Sequence, residues 1–148
     1  MRRMSVMNLA SRQAGFTLLE IMVVVVILGI LAAMIVPNFM DQPEKAKLTK
    51  AQSDVRNLES ALNLYRLDNH AYPTTDAGLE ALVNKPAAAA RWKEGGYIKS
   101  LPKDPWGNAY QYLNPGVHGT IDIFSYGADG TQGGEGMNAD IGNWASEG

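Results

Sequence analysis

The sequence predicts an α+β chain in which a long N-terminal helix packs on a small antiparallel sheet, with a glycine-rich acidic loop at the C-terminus. Three observations predict it. Residues 16–36 are all apolar or small except Thr17 and Glu20. From Leu48 to Tyr65 the apolar positions recur at gaps of three and four, the period of an amphipathic helix. Beyond residue 96 the apolar runs become short, aromatic and β-branched, and clusters of turn residues separate them.

Residues 1–15 carry Arg2, Arg3 and Arg12 with no acid and read as a removable basic leader, outside the fold. The twenty-one residues 16–36 would extend roughly 30 Å as a helix, the thickness of a bilayer's hydrocarbon core. The first half of the long helix is therefore expected to be transmembrane, with residues 37–148 as the domain beyond it. Glu20 does not suit a plain anchor, because a carboxylate inside a membrane costs a few kcal/mol and needs a partner. A cut after Gly15 would create an amine on Phe16, four residues before Glu20, able to pair with that carboxylate in the same chain or in a neighbour's. An uncleaved anchor and an ordinary secretory signal are the plainer readings, and the run is longer than the about 7–15 apolar residues of such a signal.

Pro37 and Pro43 each predict a kink or local melting. Asp41 followed by Glu44 is a capping-box pattern that restarts the helix, with Pro43 tolerated in its first turn. The stripe Leu48, Ala51, Val55, Leu58, Leu62 and Tyr65 is expected to cover the sheet, and Asn69-His70-Ala71-Tyr72-Pro73 ends the helix. A short helix follows over 76–83, with Thr74 or Thr75 as its cap and Leu79, Leu82 and Val83 as its apolar face. Residues 85–96 read as a loop. Strands are expected at 97–98, 110–113 and 121–126, joined as a meander through Asp104-Pro105-Trp106-Gly107-Asn108 and Asn114-Pro115-Gly116. The tail 127–148 lacks apolar periodicity; it is either disordered or pinned by Ile141 and Trp144.

Composition narrows the function. The chain has 148 residues, room for one modest domain beside the span. Its formal net charge of −2 leaves the part beyond the basic leader acidic, which argues against nucleic acid as a partner. With no cysteine there is no disulfide, no thiol catalysis and no cysteine-ligated zinc. His70 and His118 stand far apart in turn contexts, and no nucleophile, base and orienting group occur together, so the chain reads as non-enzymatic. Trp92, Trp106 and Trp144 read as core or loop anchors ahead of a sugar-binding platform. Asp129, Glu135, Asn138 and Asp140 offer hard oxygen donors between flexible glycines, which suits Ca²⁺ better than zinc or copper; solvated turn acids are the alternative.

Gly15-Phe16-Thr17-Leu18-Leu19-Glu20, behind a basic leader, resembles the processing motif of type IV pilins. The resemblance implies that a prepilin peptidase cuts after Gly15 on the cytoplasmic face and methylates Phe16, and that Glu20 serves assembly. The segments 68–73, 104–108, 127–130 and 140–144 are similar to the major pseudopilins of the bacterial type II secretion system, a likeness that covers nearly all of the chain after Gly15. It implies a type IV pilin-like fold with a structural calcium held by the Tyr126 carbonyl, Asp129 and Asp140. Where some members carry two adjacent aspartates, this chain has Ala139 and Asp140, so a further ligand must come from Asn138, Glu135, a carbonyl or water. It also implies a homopolymer in a periplasmic pseudopilus, anchored in the inner membrane by a single span. The expected partners are minor pseudopilins, the inner-membrane assembly platform and the prepilin peptidase. A type IV pilin for adhesion, motility or DNA uptake is the first rival, and a membrane-tethered binding module the second.

Overall fold

In the computed structural model the backbone is described for residues 15–40 and 42–146, and the side chains for these residues apart from 35–40 and 146. The expected leader up to residue 14 and the expected cap Asp41 lie outside the described residues. The chain divides into two compact units, Met1–Met40 and Asp41–Gly148.

The first unit holds helix α1, Leu18–Met40. Thr17 caps it: its Oγ1 accepts the Glu20 N–H at 3.2 Å, and its carbonyl accepts the Ile21 N–H at 3.2 Å. Of the kink or local melting expected at Pro37, the melting does not occur: the helix runs through it to Met40. The proline lies one turn from the end, where the missing N–H costs one hydrogen bond and little helix follows. Every large apolar side chain described here is substantially exposed, from Val24 at 47% to Leu18 at 79%. Among the described residues no helix is long and apolar enough to cross a membrane, and the described side chains of α1 end at Met34.

The second unit is built on α2, Gln42–Asn69, which starts beside the predicted cap and carries Pro43 in its first turn. The predicted stripe is the buried one: Ala51, Val55, Leu58, Leu62 and Tyr65, joined by Ala61, with Leu48 half-buried at its start. The helix stops at His70, whose φ of 65° turns the chain into the left-handed region while its N–H still reaches the Arg66 carbonyl at 2.8 Å. Against this helix packs a three-stranded antiparallel sheet of β1 (Gln111–Leu113), β2 (Asp122–Ser125) and β3 (Ile141–Gly142), in that order. β2 is central and buried along its whole length. Leu58, Leu62, Leu82, Ile123 and Val55 form the deepest packing, each worth about 1.5–3 kcal/mol on burial.

Two expectations need correction. Residues 97–98 are not a strand. The N–H groups of Tyr97 and Ile98 converge on one acceptor, the Leu82 carbonyl, at 2.8 and 3.4 Å, which makes a bend where a ladder would need separate acceptors. Residues 76–83 form a turn and then a 3-10 helix over Leu79–Leu82, because Gly78 has a φ of 60° and a helix cannot pass through it. Thr74 does cap the preceding turn, accepting the Ala77 N–H at 3.2 Å. Of the two readings of the tail, the pinned one holds over the described residues to 146: it supplies β3 and two 3-10 turns, Gly136–Asn138 and Asn143–Ser146, with Ile141 buried and Trp144 stacked on His118.

Candidate functional site

At the N-terminal end the structure places Gly15 and Phe16 in extended, exposed chain immediately before α1, and Glu20 on the exposed first turn. Thr17-Leu18-Leu19-Glu20 is itself a capping-box pattern, a signal in the sequence that the predicted elements above did not use. It sets the start of the helix so that Phe16 lies just outside the first turn and Glu20 within it.

The C-terminal loop begins where β2 ends. Ser125 pairs with Ile141 and Phe124 with Gly142, so continuing that antiparallel register beyond the strands would set Tyr126 opposite Asp140 one step on and Gly127 opposite Ala139 two steps on. Two of the expected calcium ligands, Tyr126 and Asp140, thus directly follow and directly precede the last paired residues of β2 and β3. Gly127 has a φ of 75°, and a Cβ there would stand 2.8 Å from the carbonyl oxygens of both Met137 and Ala139. Two backbone acceptors therefore converge where only glycine fits. Asp140 accepts the Gly133 N–H through Oδ2 at 3.1 Å, while its Oδ1 is buried with no hydrogen-bond partner. A buried carboxylate oxygen left unsatisfied is costly unless a cation or donor meets it, and carboxylate and carbonyl oxygens are donors of the hard kind that calcium takes. The residues present fit a calcium ion.

Asp129 is exposed and accepts the Thr131 N–H at 3.1 Å; Asn138 is exposed at the end of its 3-10 turn, with its N–H on the Glu135 carbonyl at 3.1 Å. Among the described residues no three His, Cys, Asp or Glu side chains stand together as a metal-holding group. Any ion held here would therefore rely on backbone carbonyls beside the side-chain oxygens.

Buried polar residues that the sequence reading passed over hold this end of the domain together. Asp104 is 4% exposed. Its Oδ1 accepts the N–H groups of Trp106 and Asn108 at 3.1 and 2.7 Å, and its Oδ2 accepts the Ser125 hydroxyl at 2.6 Å. Asp122 is 1% exposed and accepts the Val117 and His118 N–H groups and the His118 ring, the last at 2.9 Å. Burial, the largest single influence, pushes the Asp122 carboxyl upward, but these hydrogen bonds together outweigh it and hold the group below its ordinary value. Asn143 extends the sheet, its Oδ1 accepting the Ile123 N–H at 3.1 Å and its Nδ2 reaching the Ile121 carbonyl at 3.0 Å.

The histidines and tryptophans fall into structural roles. The His118 ring stacks on Trp144 with centroids 3.8 Å apart, and Trp144 folds over Gly142. Trp92 donates to the Ala81 carbonyl at 2.7 Å and lies edge-on to Tyr97. Trp106 belongs to the Asp104 turn. With each tryptophan committed to a different neighbour, the geometry gives no support to a sugar-stacking platform.

The chain was compared with known proteins. Residues 38–144 match the family described as type II secretion system (T2SS), protein G, and residues 10–36 match the prokaryotic N-terminal methylation motif. The type II secretion system core protein G of Vibrio cholerae is 64% identical over 135 residues, covering 90% of this chain and 92% of that protein. Its counterpart in Pseudomonas aeruginosa is 57% identical over 136 residues, covering 90% and 96%. Among solved structures, the crystal structure of the major pseudopilin from the type 2 secretion system of enterohaemorrhagic Escherichia coli is similar with a TM-score of 0.67 and 49% identity, covering 74% of this chain and 92% of that one. On these matches and on the fold described above, the chain belongs to the type II secretion system protein G family.

Proposed function

We propose that this chain is the major structural subunit of a type II secretion pseudopilus and performs no covalent chemistry. The observation that carries the reading is α1, a capped helix whose large described apolar side chains from Leu18 to Met34 are all at least 47% exposed. Such a surface needs an apolar partner outside the chain, first a bilayer and then other copies of the same helix. The precursor sits in the inner membrane by residues 16–36 with the domain in the periplasm. A prepilin peptidase cuts after Gly15, and the Phe16 amine of one subunit meets the Glu20 carboxylate of another. Low dielectric strengthens that pairing, and an unpaired Glu20 among apolar helices is costly, so the pair sets the register of the polymer. The polymer, with minor pseudopilins and the assembly platform, helps move folded proteins across the outer membrane.

The loop is held by calcium in this reading. The Tyr126 carbonyl, Asp129 and Asp140 would hold the ion, with Asn138 as the further donor in place of the acid missing at Ala139. When bound, the ion supplies positive charge that satisfies the orphaned carboxylate oxygen and ties the end of β2 to the start of β3. The chain's own contribution is to bring Tyr126 and Asp140 opposite each other by strand register and to keep a Cβ out at Gly127.

The mass of the mature protein tests the reading. Protein recovered from cells should begin at Phe16 and carry one added methyl group on its amine. A retained leader, or a cut within the apolar run, would contradict the assembly role given to Phe16 and Glu20.

A further inference from the structure

The buried pair Asp104 and Ser125 is not among the expected calcium ligands, yet it holds the peptide bond that presents one of them. In a planar trans peptide the carbonyl and the N–H point in opposite directions, so fixing the N–H of Gly127 also fixes the direction of the Tyr126 carbonyl. That N–H donates to Ser125 Oγ at 3.1 Å, and Ser125 Oγ donates to Asp104 Oδ2 at 2.6 Å. Neither end of this chain of bonds has room to move. Ser125 is 0% exposed, and the other oxygen of Asp104 is already held by the N–H groups of Trp106 and Asn108. The Asp104 backbone is itself clamped, its N–H on the Asn108 carbonyl at 2.8 Å and its carbonyl accepting the Gly107 N–H at 3.0 Å.

We infer that Asp104 and Ser125 are positioning residues for the C-terminal ion site, aiming the Tyr126 carbonyl through the Gly127 N–H. The inference rests on the calcium reading proposed above. It gives the Asp104-Pro105-Trp106-Gly107-Asn108 turn a purpose beyond joining two parts of the domain: the turn is the rigid mount against which one ligand is set. A hydroxyl at position 125 is required because it must accept from Gly127 and donate to Asp104 at once, which neither alanine nor valine can do. Partners one shell out from a metal ligand commonly change affinity by about 10–100-fold when removed.

The test is calcium titration of the full-length protein in detergent, by calorimetry, together with melting temperatures in chelator, for the unaltered chain, Asp140→Ala, Ser125→Ala and Asp104→Asn. The unaltered chain should bind Ca²⁺ and Asp140→Ala should lose most of that binding. Ser125→Ala removes a single oxygen. It should weaken Ca²⁺ about 10–100-fold while lowering the melting temperature in chelator far less than that in calcium. Asp104→Asn, which keeps one acceptor oxygen, should fall between. If the unaltered chain binds Ca²⁺ and Ser125→Ala binds it equally well, the positioning role is overturned and the calcium reading stands. A melting temperature that falls equally with and without calcium in Ser125→Ala, at unchanged affinity, would make the pair a fold lock only. If the unaltered chain binds no Ca²⁺, both readings fall together.

Discussion

Helices α1 and α2 are of similar length, 23 and 28 residues, and treat their apolar side chains in opposite ways. In α2 most of the large apolar residues keep to one stripe and are buried, Leu62 and Ala51 completely, with Leu64 and Leu67 exposed outside it. In α1 they occupy every side, and even Val24, the least exposed of the large ones, is 47% exposed. A stripe at the helical period can be covered by one sheet, so α2 finds its partner within the chain. An all-round apolar surface cannot be covered by a single packed face, so the partner of α1 must surround it. The difference teaches that the distribution of apolar residues, more than their number, decides whether a helix serves the fold or the assembly.

The comparison is sharpened most by matched truncations. Leu62→Ala should cost the domain about 2–5 kcal/mol and lower its melting temperature markedly, because the site is fully buried against the sheet. Ile27→Ala, half exposed on α1, should leave unfolding of the domain within about 0.5 kcal/mol of the unaltered protein in detergent. Thermal unfolding of both variants checks this; equal losses would mean that α1 is part of the same cooperative core.

Within the second unit a further contrast lies between apolar packing and buried carboxylates, and pH separates them. Asp122 is held below its ordinary value of 3.8, so between its folded and ordinary values the unfolded chain binds more protons. Its stabilising contribution is therefore complete above about pH 4 and is lost as pH falls through the lower folded value. Melting temperatures from pH 5 down to pH 2.5 should show this acid loss in the unaltered protein and a flatter profile in Asp122→Asn, at a lower starting stability. Parallel profiles would remove Asp122 as the source.

Much of this architecture was legible in the residues. The stripe from Leu48 to Tyr65 is long and strictly periodic, and it located the packed face of α2. The turn clusters at 104–108 and 114–116 bracketed β1. What escaped was structure defined by partners far away in sequence. β3 is two residues, one of them a glycine, and becomes a strand only because β2 offers its edge. Tyr97 and Ile98 have the composition of a strand, yet among the described residues no strand pairs with them, and they bend onto Leu82. Asp104 reads as part of a turn and Asp122 as an ordinary strand position, since nothing local reveals that Ser125 or His118 will close over them. The calcium expectation was drawn from hard oxygen donors among glycines and from the family resemblance, whereas the strongest structural pointer to an ion, the unsatisfied Asp140 Oδ1, comes from burial.

The central claim, that α1 is completed by other copies of itself, is tested most directly by cysteine cross-linking in membranes, since the chain has no cysteine of its own. Ile27→Cys in the mature protein should form disulfide-linked dimers under mild oxidation, and adding Glu20→Ala should abolish most of them while leaving the domain's melting temperature unchanged. Absence of dimers from Ile27→Cys in correctly processed, membrane-bound protein, or dimers that persist undiminished with Glu20→Ala, would contradict the account.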